Sequence, residues 1–202
     1  MAGKMAGKWA RRGRLVVAGL LLGAVLAGCA GQVEPATSGR GGMLSPKVPT
    51  GTAVESLSPS QLYDLAVSQY RQLFEIIKQV NAQGGTPQLP SSVNAYLINP
   101  AWGAFNDVYS GMFLNGYRYD GVPDYQITAI APLTGEKLAA GTIVAIQTCE
   151  MIQGAPFIDK MGVVLDEGNP VTQHVKTYLK FDDNQLKVFV SNNKVVDTCP
   201  ID

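Results

Sequence analysis

The sequence predicts an α+β fold in which N-terminal helices pack on a curved antiparallel β-sheet, after a signal peptide and a flexible linker. Three observations predict it. Apolar residues recur at helical spacing in the segment that starts at Ser58, apolar and polar residues alternate in several segments after Tyr117, and a short turn sequence joins the last two of these segments. Helices that precede the strands, rather than alternate with them, are typical of the α+β class.

The first helix is predicted from residue 58 to about residue 83. Ser58-Pro59-Ser60-Gln61 places serine at the N-cap, proline at the first helical position and glutamine at the third, which forms a capping box. Gly84-Gly85 is expected to end the helix. The apolar stripe, which we expect to pack in the core, consists of Leu62, Leu65, Ala66, Leu73, Ile76, Ile77 and Val80.

A second helical region is predicted after the glycine pair. Residues 92–98 form one plausible short helix, and a second helix is expected to begin with Asn99 as its cap and Pro100 at its first position. Asn115-Gly116 is expected to end it. Its apolar positions are Trp102, Phe105, Val108 and Met112.

Four strands are predicted in the second half of the chain, at residues 125–133, 141–152, 171–181 and 185–190. Asp182-Asp183-Asn184 is the expected hairpin turn between the last two. Alternation predicts one apolar face on each of the last two strands. These faces consist of Val171, Val175, Leu179 and Phe181 in the first strand, and of Leu186, Val188 and Val190 in the second. The same alternation predicts that the His174 side chain faces outward.

The charges are unevenly distributed along the 202 residues. The net charge is zero, but five basic residues and no acidic ones lie in residues 1–14. Residues 29–202 hold eleven basic and sixteen acidic residues, a net charge of −5. An acidic domain has no electrostatic attraction for nucleic acid, so we do not expect a nucleic-acid partner.

The N-terminus has the pattern of an export signal. The basic residues 1–14 precede an uncharged apolar run at residues 15–27, which ends in small residues. A transmembrane helix is the alternative, but it needs about 20 apolar residues. The run of 13 is shorter, and a polar segment follows it.

Leu26-Ala27-Gly28-Cys29 resembles the lipobox of bacterial lipoproteins. The resemblance implies that residues 1–28 are a signal peptide and that the Cys29 thiol receives a diacylglycerol. Two acyl chains anchor firmly, so the protein would be attached to the extracytoplasmic face of the cell membrane. An ordinary signal peptide that contains a cysteine near its end is the alternative. Residues 29–57 lack a periodic apolar face and are predicted to be a flexible tether, which leaves residues 58–202 as the folded domain.

Once Cys29 is assigned to the lipid, Cys149 and Cys199 remain as a pair in an oxidising compartment and are expected to form one disulfide. The chain has one histidine and no Cys-x-x-Cys sequence. This composition does not support a metal site, and no motif in the sequence indicates a cofactor.

Two segments, GTIVAIQTCEMI (residues 141–152) and VKTYLKFDDNQLKVFVSNNKVVDTCP (residues 175–200), resemble the NTF2-like, or cystatin-like cone, domains of secreted actinobacterial lipoproteins. The resemblance implies a cone-shaped domain without catalytic activity that binds a protein partner at the cell envelope. Its alternative is a binder of a lipid or small apolar ligand, or a vestigial isomerase, that uses the interior of the cone. If Trp102, Phe105 and Phe181 fill that interior, the first function is favoured; an open apolar pocket with a buried carboxylate favours the second.

The candidate ligand-binding residues are Tyr117, Tyr119, Asp120 and Tyr125, with Asp124 beside them. Isomerases of this fold combine a buried aspartate with tyrosine or protonated aspartate donors. The same segment, YRYDGVPDY, is equally typical of a surface turn held by its aromatic side chains, and this second interpretation is the one we favour. We assign no catalytic residues.

Overall fold

The computed structural model describes residues 57–201, which contain two helices, a short 3₁₀ turn and seven strands. The predicted signal peptide, Cys29 and all of the predicted tether except Leu57 lie outside the described residues. The helices are α1 (Pro59–Ala82) and α2 (Ala101–Asn115), and the 3₁₀ turn is Ser91–Ala95. The strands are β1 (Arg118–Tyr119), β2 (Asp124–Pro132), β3 (Val144–Gln153), β4 (Phe157–Ile158), β5 (Val164–Asp166), β6 (Val171–Asp182) and β7 (Gln185–Val196).

The strands form two antiparallel sheets, neither of which is closed in the described part of the chain. The larger sheet has the order β2-β3-β6-β7 and the smaller has the order β1-β4-β5. This confirms the predicted α+β class, with helices first and antiparallel strands after them. The smaller sheet was not predicted, because two of its strands have only two residues.

Helix α1 begins as its sequence predicts. The Ser58 side chain accepts a hydrogen bond from the Gln61 backbone N–H, and the Gln61 side chain accepts one from the Ser58 N–H at 2.8 Å. The chain then turns sharply at Gly84 and Gly85, both with positive φ. A Cβ atom on Gly85 would lie 2.2 Å from the backbone oxygen of Tyr109, so glycine is required where α1 meets α2.

The region between the helices differs from its prediction. Only Ser91–Ala95 is helical, as a 3₁₀ turn, and α2 begins at Ala101 with Pro100 as its N-cap residue. Asn99 was predicted as the cap, and this is wrong, since no side chain caps α2. The reason is tertiary: Tyr96 ends the 3₁₀ turn, and Leu97 forms an isolated parallel bridge with Val188 of β7. Ile98 donates to the Val188 carbonyl, and Val188 donates to the Tyr96 carbonyl. The predicted end of α2 is confirmed, since Gly116 has the left-handed conformation.

The larger sheet follows the predicted strands closely, although β3 begins at Val144 rather than at residue 141 and β7 continues to Val196. The hairpin turn is confirmed: Asp183 and Asn184 both have positive φ and connect the paired residues Asp182 and Gln185. This combination is typical of a two-residue type I′ turn.

One predicted apolar face is wrong. Leu186 and Val188 belong to the main core, but Val190 packs in a second cluster on the opposite face of the sheet. The pairing of β6 with β7 shifts between Tyr178 and Leu179, which leaves one extra residue, Phe189, in β7. A bulge of this kind reverses the alternation of side chains beyond it.

The main core lies between α1 and the inner face of the larger sheet. Its fully buried members include Leu73, Leu97, Ile146, Leu179, Leu186 and Val188. On the outer face of the sheet, a smaller cluster of Leu133, Ala145, Tyr178 and Phe189 packs beneath the loop between β2 and β3. His174 lies on this outer face, as predicted, with its Nε2 atom 3.0 Å from Gln147 Oε1.

Candidate functional site

The three predicted ligand-binding tyrosines lie around the smaller sheet and the end of α1. The rings of Tyr117 and Tyr119 pack against Phe157, with centroid separations of 5.9 and 5.1 Å. Tyr125 packs edge-on against Phe74, at a centroid separation of 5.9 Å, and its hydroxyl accepts a hydrogen bond from the Asn81 side chain.

Burial raises the pKa of the phenols of Tyr119 and Tyr125, so both stay protonated at neutral pH. Desolvation is the main cause in both cases, and for Tyr125 the nearby Tyr119 and Tyr109 phenols add to it. These two tyrosines therefore supply neutral hydroxyl groups in an apolar setting.

The two aspartates of this segment, Asp120 and Asp124, make contacts elsewhere than with the tyrosine rings. Asp120 is exposed, and only its backbone N–H is engaged, donating to the Pro156 carbonyl at 2.8 Å. Asp124 accepts hydrogen bonds from the side chains of Gln126 and Gln153, at 2.6 and 3.3 Å. The tyrosine rings thus pack against phenylalanines, and among the described residues neither Asp120 nor Asp124 hydrogen-bonds to them.

A buried acid that the sequence analysis did not select lies on β3. Glu150 is 9 % exposed and faces α1, where the Tyr70 hydroxyl donates a hydrogen bond to its carboxylate. Thr148, two residues earlier on the same face, donates a second at 2.9 Å. The hydroxyl of Thr177 is also buried and has no hydrogen-bond partner among the described residues.

Burial raises the pKa of the Glu150 carboxyl, while the hydrogen bonds from Tyr70 and Thr148 act in the opposite direction. The pKa of Tyr70 is raised well above its usual value, first by burial and then by the Glu150 charge. This acid–phenol pair combines the residue types of general acid–base chemistry. One feature of the sequence could have indicated this buried acid. Thr148 and Glu150 alternate with outward residues in the same phase as the core residue Ile146, which places both polar side chains on the inner face of β3.

The acid–phenol pair lies in a packed interior. Trp102, Phe105 and Phe181 are partly buried and pack against the main core. A groove of about 260 Å³ lies outside the core, between α1 and β2, and is open to solvent. It is lined by Arg71, Phe74, Glu75, Tyr125, Gln126 and Ile127, so Tyr125 is the only predicted ligand-binding residue that reaches it.

Several large apolar side chains are exposed at one end of the domain. Gly116, at the end of α2, approaches Lys160 so closely that a Cβ atom would lie 2.7 Å from the Lys160 Cβ. Exposed apolar residues flank Gly116 and Lys160 in the sequence, and we call them the distal surface: Phe113, Leu114, Met161, Val163 and Val164. Leu114 and Met161 are 77 % and 76 % exposed, which is unusual for a group of large apolar residues.

The distal surface lies at the C-terminal end of α1, far from the point where residues 29–57 join the domain. Gly84 and Gly85 at this end contact Arg118 and Met112, whereas the preceding chain enters at Ser58. The 24 residues of α1 separate the two points by about 36 Å.

The predicted pairing of Cys149 with Cys199 is confirmed. The two residues form a disulfide with a Cα–Cα distance of 5.9 Å, which fixes the C-terminal segment to the central strand β3. Cys149 is fully buried.

Two further findings bear on identity. None of the helices within residues 57–201 combines the length and the apolar character needed to span a bilayer. No protein-family model matches the chain, and no curated protein matches it.

Proposed function

We propose that this protein is a lipid-anchored lipoprotein of the cell envelope whose folded domain binds a protein partner and has no catalytic activity. Residues 1–28 are the signal peptide, Cys29 carries the diacylglycerol and residues 29–57 are the tether. The lipobox-like sequence before Cys29 and the disulfide, which suits an oxidising compartment, support this proposal.

The domain is proposed to have the NTF2-like, cystatin-like cone architecture. A long N-terminal helix that covers one face of a four-stranded antiparallel sheet supports this assignment. Two irregularities, at Thr128 in β2 and at Phe189 in β7, supply the bends that a cone-shaped sheet requires.

The distal surface is the observation on which the partner-binding function rests. A group of exposed apolar side chains at one end of a domain is typical of a protein-binding or membrane-binding surface. The tether joins the domain at the opposite end, about 36 Å away, and its 29 residues span about 30 Å. Because the tether is attached at the opposite end, the distal surface can reach a protein about 36 Å or more from the attachment point, and we propose a protein as the partner.

A second function is supported by the acid–phenol pair. Glu150 and Tyr70 are the residue types that an isomerase or a binder of a small apolar ligand would use in the cone interior. The packed side chains around them argue for a structural role, and the groove between α1 and β2 is the place where a small ligand would bind. A rise in melting temperature with fatty acids or steroids, lost in Tyr125→Ala, would support this second function over the first.

The proposed partner binding is tested by capture from native membranes solubilised in mild detergent. Leu114→Lys and Met161→Lys are expected to lose the captured partner, because each places a charge at the centre of an apolar contact. Ile143→Lys is the matched control, since Ile143 is also apolar and 51 % exposed but precedes β3, outside the distal surface. Equal recovery of the partner by all three variants would refute the assignment of this surface.

The anchor is tested separately. Cys29→Ser removes the thiol that would carry the acyl chains, and this variant is expected to leave the membrane fraction for the soluble fraction. A Cys29→Ser protein that still partitions with the membrane would contradict the lipid anchor.

A further inference from the structure

Met161 is the most exposed methionine in the described part of the chain. Its exposed fraction is 76 %, whereas Met112 and Met151 are half-buried. Peroxides oxidise the thioether of methionine to a sulfoxide, and a sulfur atom in contact with solvent is the easiest to reach. Of these three sulfur atoms, that of Met161 is therefore expected to react first.

A tight turn presents Met161 to solvent. The Asp159 side chain accepts hydrogen bonds from the backbone N–H groups of Met161 and Val163, at 2.8 and 2.9 Å. The Gly162 N–H donates to the Asp159 carbonyl at 3.0 Å. Beyond its chain neighbours, a Cβ atom built on Gly162 would have no atom within 4 Å. Because the turn is fixed by these bonds and the space around it is open, an oxidant can reach Met161 without unfolding of the segment.

Met161 also belongs to the distal surface, where only Leu114 is as exposed. Methionine supplies apolar area to a protein-binding surface, as leucine does, but its sulfur can be oxidised. The sulfoxide oxygen is strongly polar, and burying it without a hydrogen-bond donor is unfavourable. One added oxygen atom therefore converts one of the two most exposed side chains of the distal surface from apolar to polar.

We propose that Met161 is a modification site at which hydrogen peroxide oxidises the thioether and thereby blocks partner binding at the distal surface. The sulfur attacks one peroxide oxygen, so that an S–O bond forms while the O–O bond breaks. The hydrogen of the attacked oxygen passes to the departing hydroxide, which leaves as water. The sulfur loses two electrons and the peroxide gains them. The effect on the partner rests on the proposed function, whereas the oxidation itself does not.

Peptide mapping by mass spectrometry after brief treatment with hydrogen peroxide tests the site. The full chain is used with Met43→Leu, since Met43 lies outside the described residues. Met161 is expected to gain one oxygen atom several times faster than Met112 and Met151. In urea the three rates should become alike, because unfolding exposes all three side chains. Equal rates in the folded chain, or a faster reaction at Met112 or Met151, would overturn the proposal.

Capture from native membranes tests the effect on the partner. The chain is oxidised alone, and the peroxide is removed before capture. Oxidation is expected to weaken capture by about tenfold or more, since it buries an unpaired polar group. Met161→Leu is the matched control, because it keeps the apolar side chain without the sulfur and should capture the partner before and after peroxide. Met161→Gln should lose the partner without any peroxide.

The outcomes separate this inference from the proposed function. Equal capture by the oxidised and untreated chains would refute the effect of Met161 oxidation, and so would a Met161→Leu chain that loses the partner after peroxide. An untreated chain that captures no partner would refute the proposed function together with this effect, and the mapping would still decide the modification site. The melting temperature should not change on oxidation, since the side chain is exposed. A marked fall would show damage to the fold instead and would also overturn the proposal.

Discussion

Replacing Tyr70 with phenylalanine removes one of the two hydrogen bonds to the Glu150 carboxylate and changes little else in the core. Tyr70 is 6 % exposed, so water does not replace the lost donor. A hydrogen bond to a charged group contributes about 1.5–3 kcal/mol. We therefore expect Tyr70→Phe to lower the free energy of unfolding by about 1.5–3 kcal/mol, or roughly 3–12 °C in melting temperature for a domain of this size.

The loss should depend on pH. Burial raises the pKa of Glu150 in the folded protein above its unfolded value, so the folded state binds the proton more tightly. The contribution of Glu150 to stability is therefore fully present below the unfolded pKa and falls as pH rises through the folded pKa. The Tyr70 hydrogen bond lowers that folded pKa, so Tyr70→Phe raises it further. The deficit of the variant should be larger at about pH 8 than at about pH 4.

Urea unfolding at these two pH values measures the effect. In a Glu150→Gln background the acceptor is neutral, so Tyr70→Phe should cost only about 1 kcal/mol at both pH values. Tyr96→Phe is the matched control, because its hydroxyl donates to the neutral Gln72 side chain at 2.8 Å. A Tyr70→Phe deficit that is equal at both pH values and unchanged by Glu150→Gln would refute the charged hydrogen bond.

Two further predictions concern the framework of the domain. Gly85→Ala should lower the free energy of unfolding by about 1–3 kcal/mol, because φ is +85° and the new Cβ would meet the Tyr109 carbonyl oxygen. Gly111 lies within α2 and has open space around it, so Gly111→Ala should raise the free energy of unfolding by about 1 kcal/mol. Both are measured by urea unfolding, and a similar effect of the two substitutions would contradict the close approach at Gly85. Replacing Cys149 and Cys199 together by alanine opens a loop of 50 residues and should cost about 4 kcal/mol, as measured by thermal unfolding. A melting temperature within a degree of the unaltered chain would show that the disulfide adds no stability.

Local patterns predicted the elements whose causes are local. The capping box at Ser58, the glycine at the end of α2 and the turn at Asp183 and Asn184 each depend on residues within a few positions. The features that were not predicted depend on contacts between residues far apart in the sequence. Residues 96–98 were expected to be helical, but the helical turn ends before them because they bridge and hydrogen-bond to Val188 of β7, about 90 positions later. The extra residue Phe189, which moves Val190 to the other face, has no signature in the alternation of β7.

In the candidate site, too, some features could be predicted from the sequence and others depend on contacts between distant residues. The pairing of Cys149 with Cys199 follows from counting cysteines, whereas the partner of Glu150 is a tyrosine 80 positions away in α1. In the tyrosine-rich segment, Tyr117 and Tyr119 pack against Phe157, which lies in a strand too short to predict. The distal surface depends on the contact between Gly116 and Lys160, which brings together segments about 45 positions apart and cannot be seen in either segment alone.

Intact-mass spectrometry of the protein purified from its native membrane tests the proposed placement most directly. The chain is expected to begin at Cys29 and to carry the added mass of a diacylglyceryl group on that residue. A mature chain that begins at any other residue, or a Cys29 without acyl chains, would contradict the lipid anchor and the envelope function proposed from it.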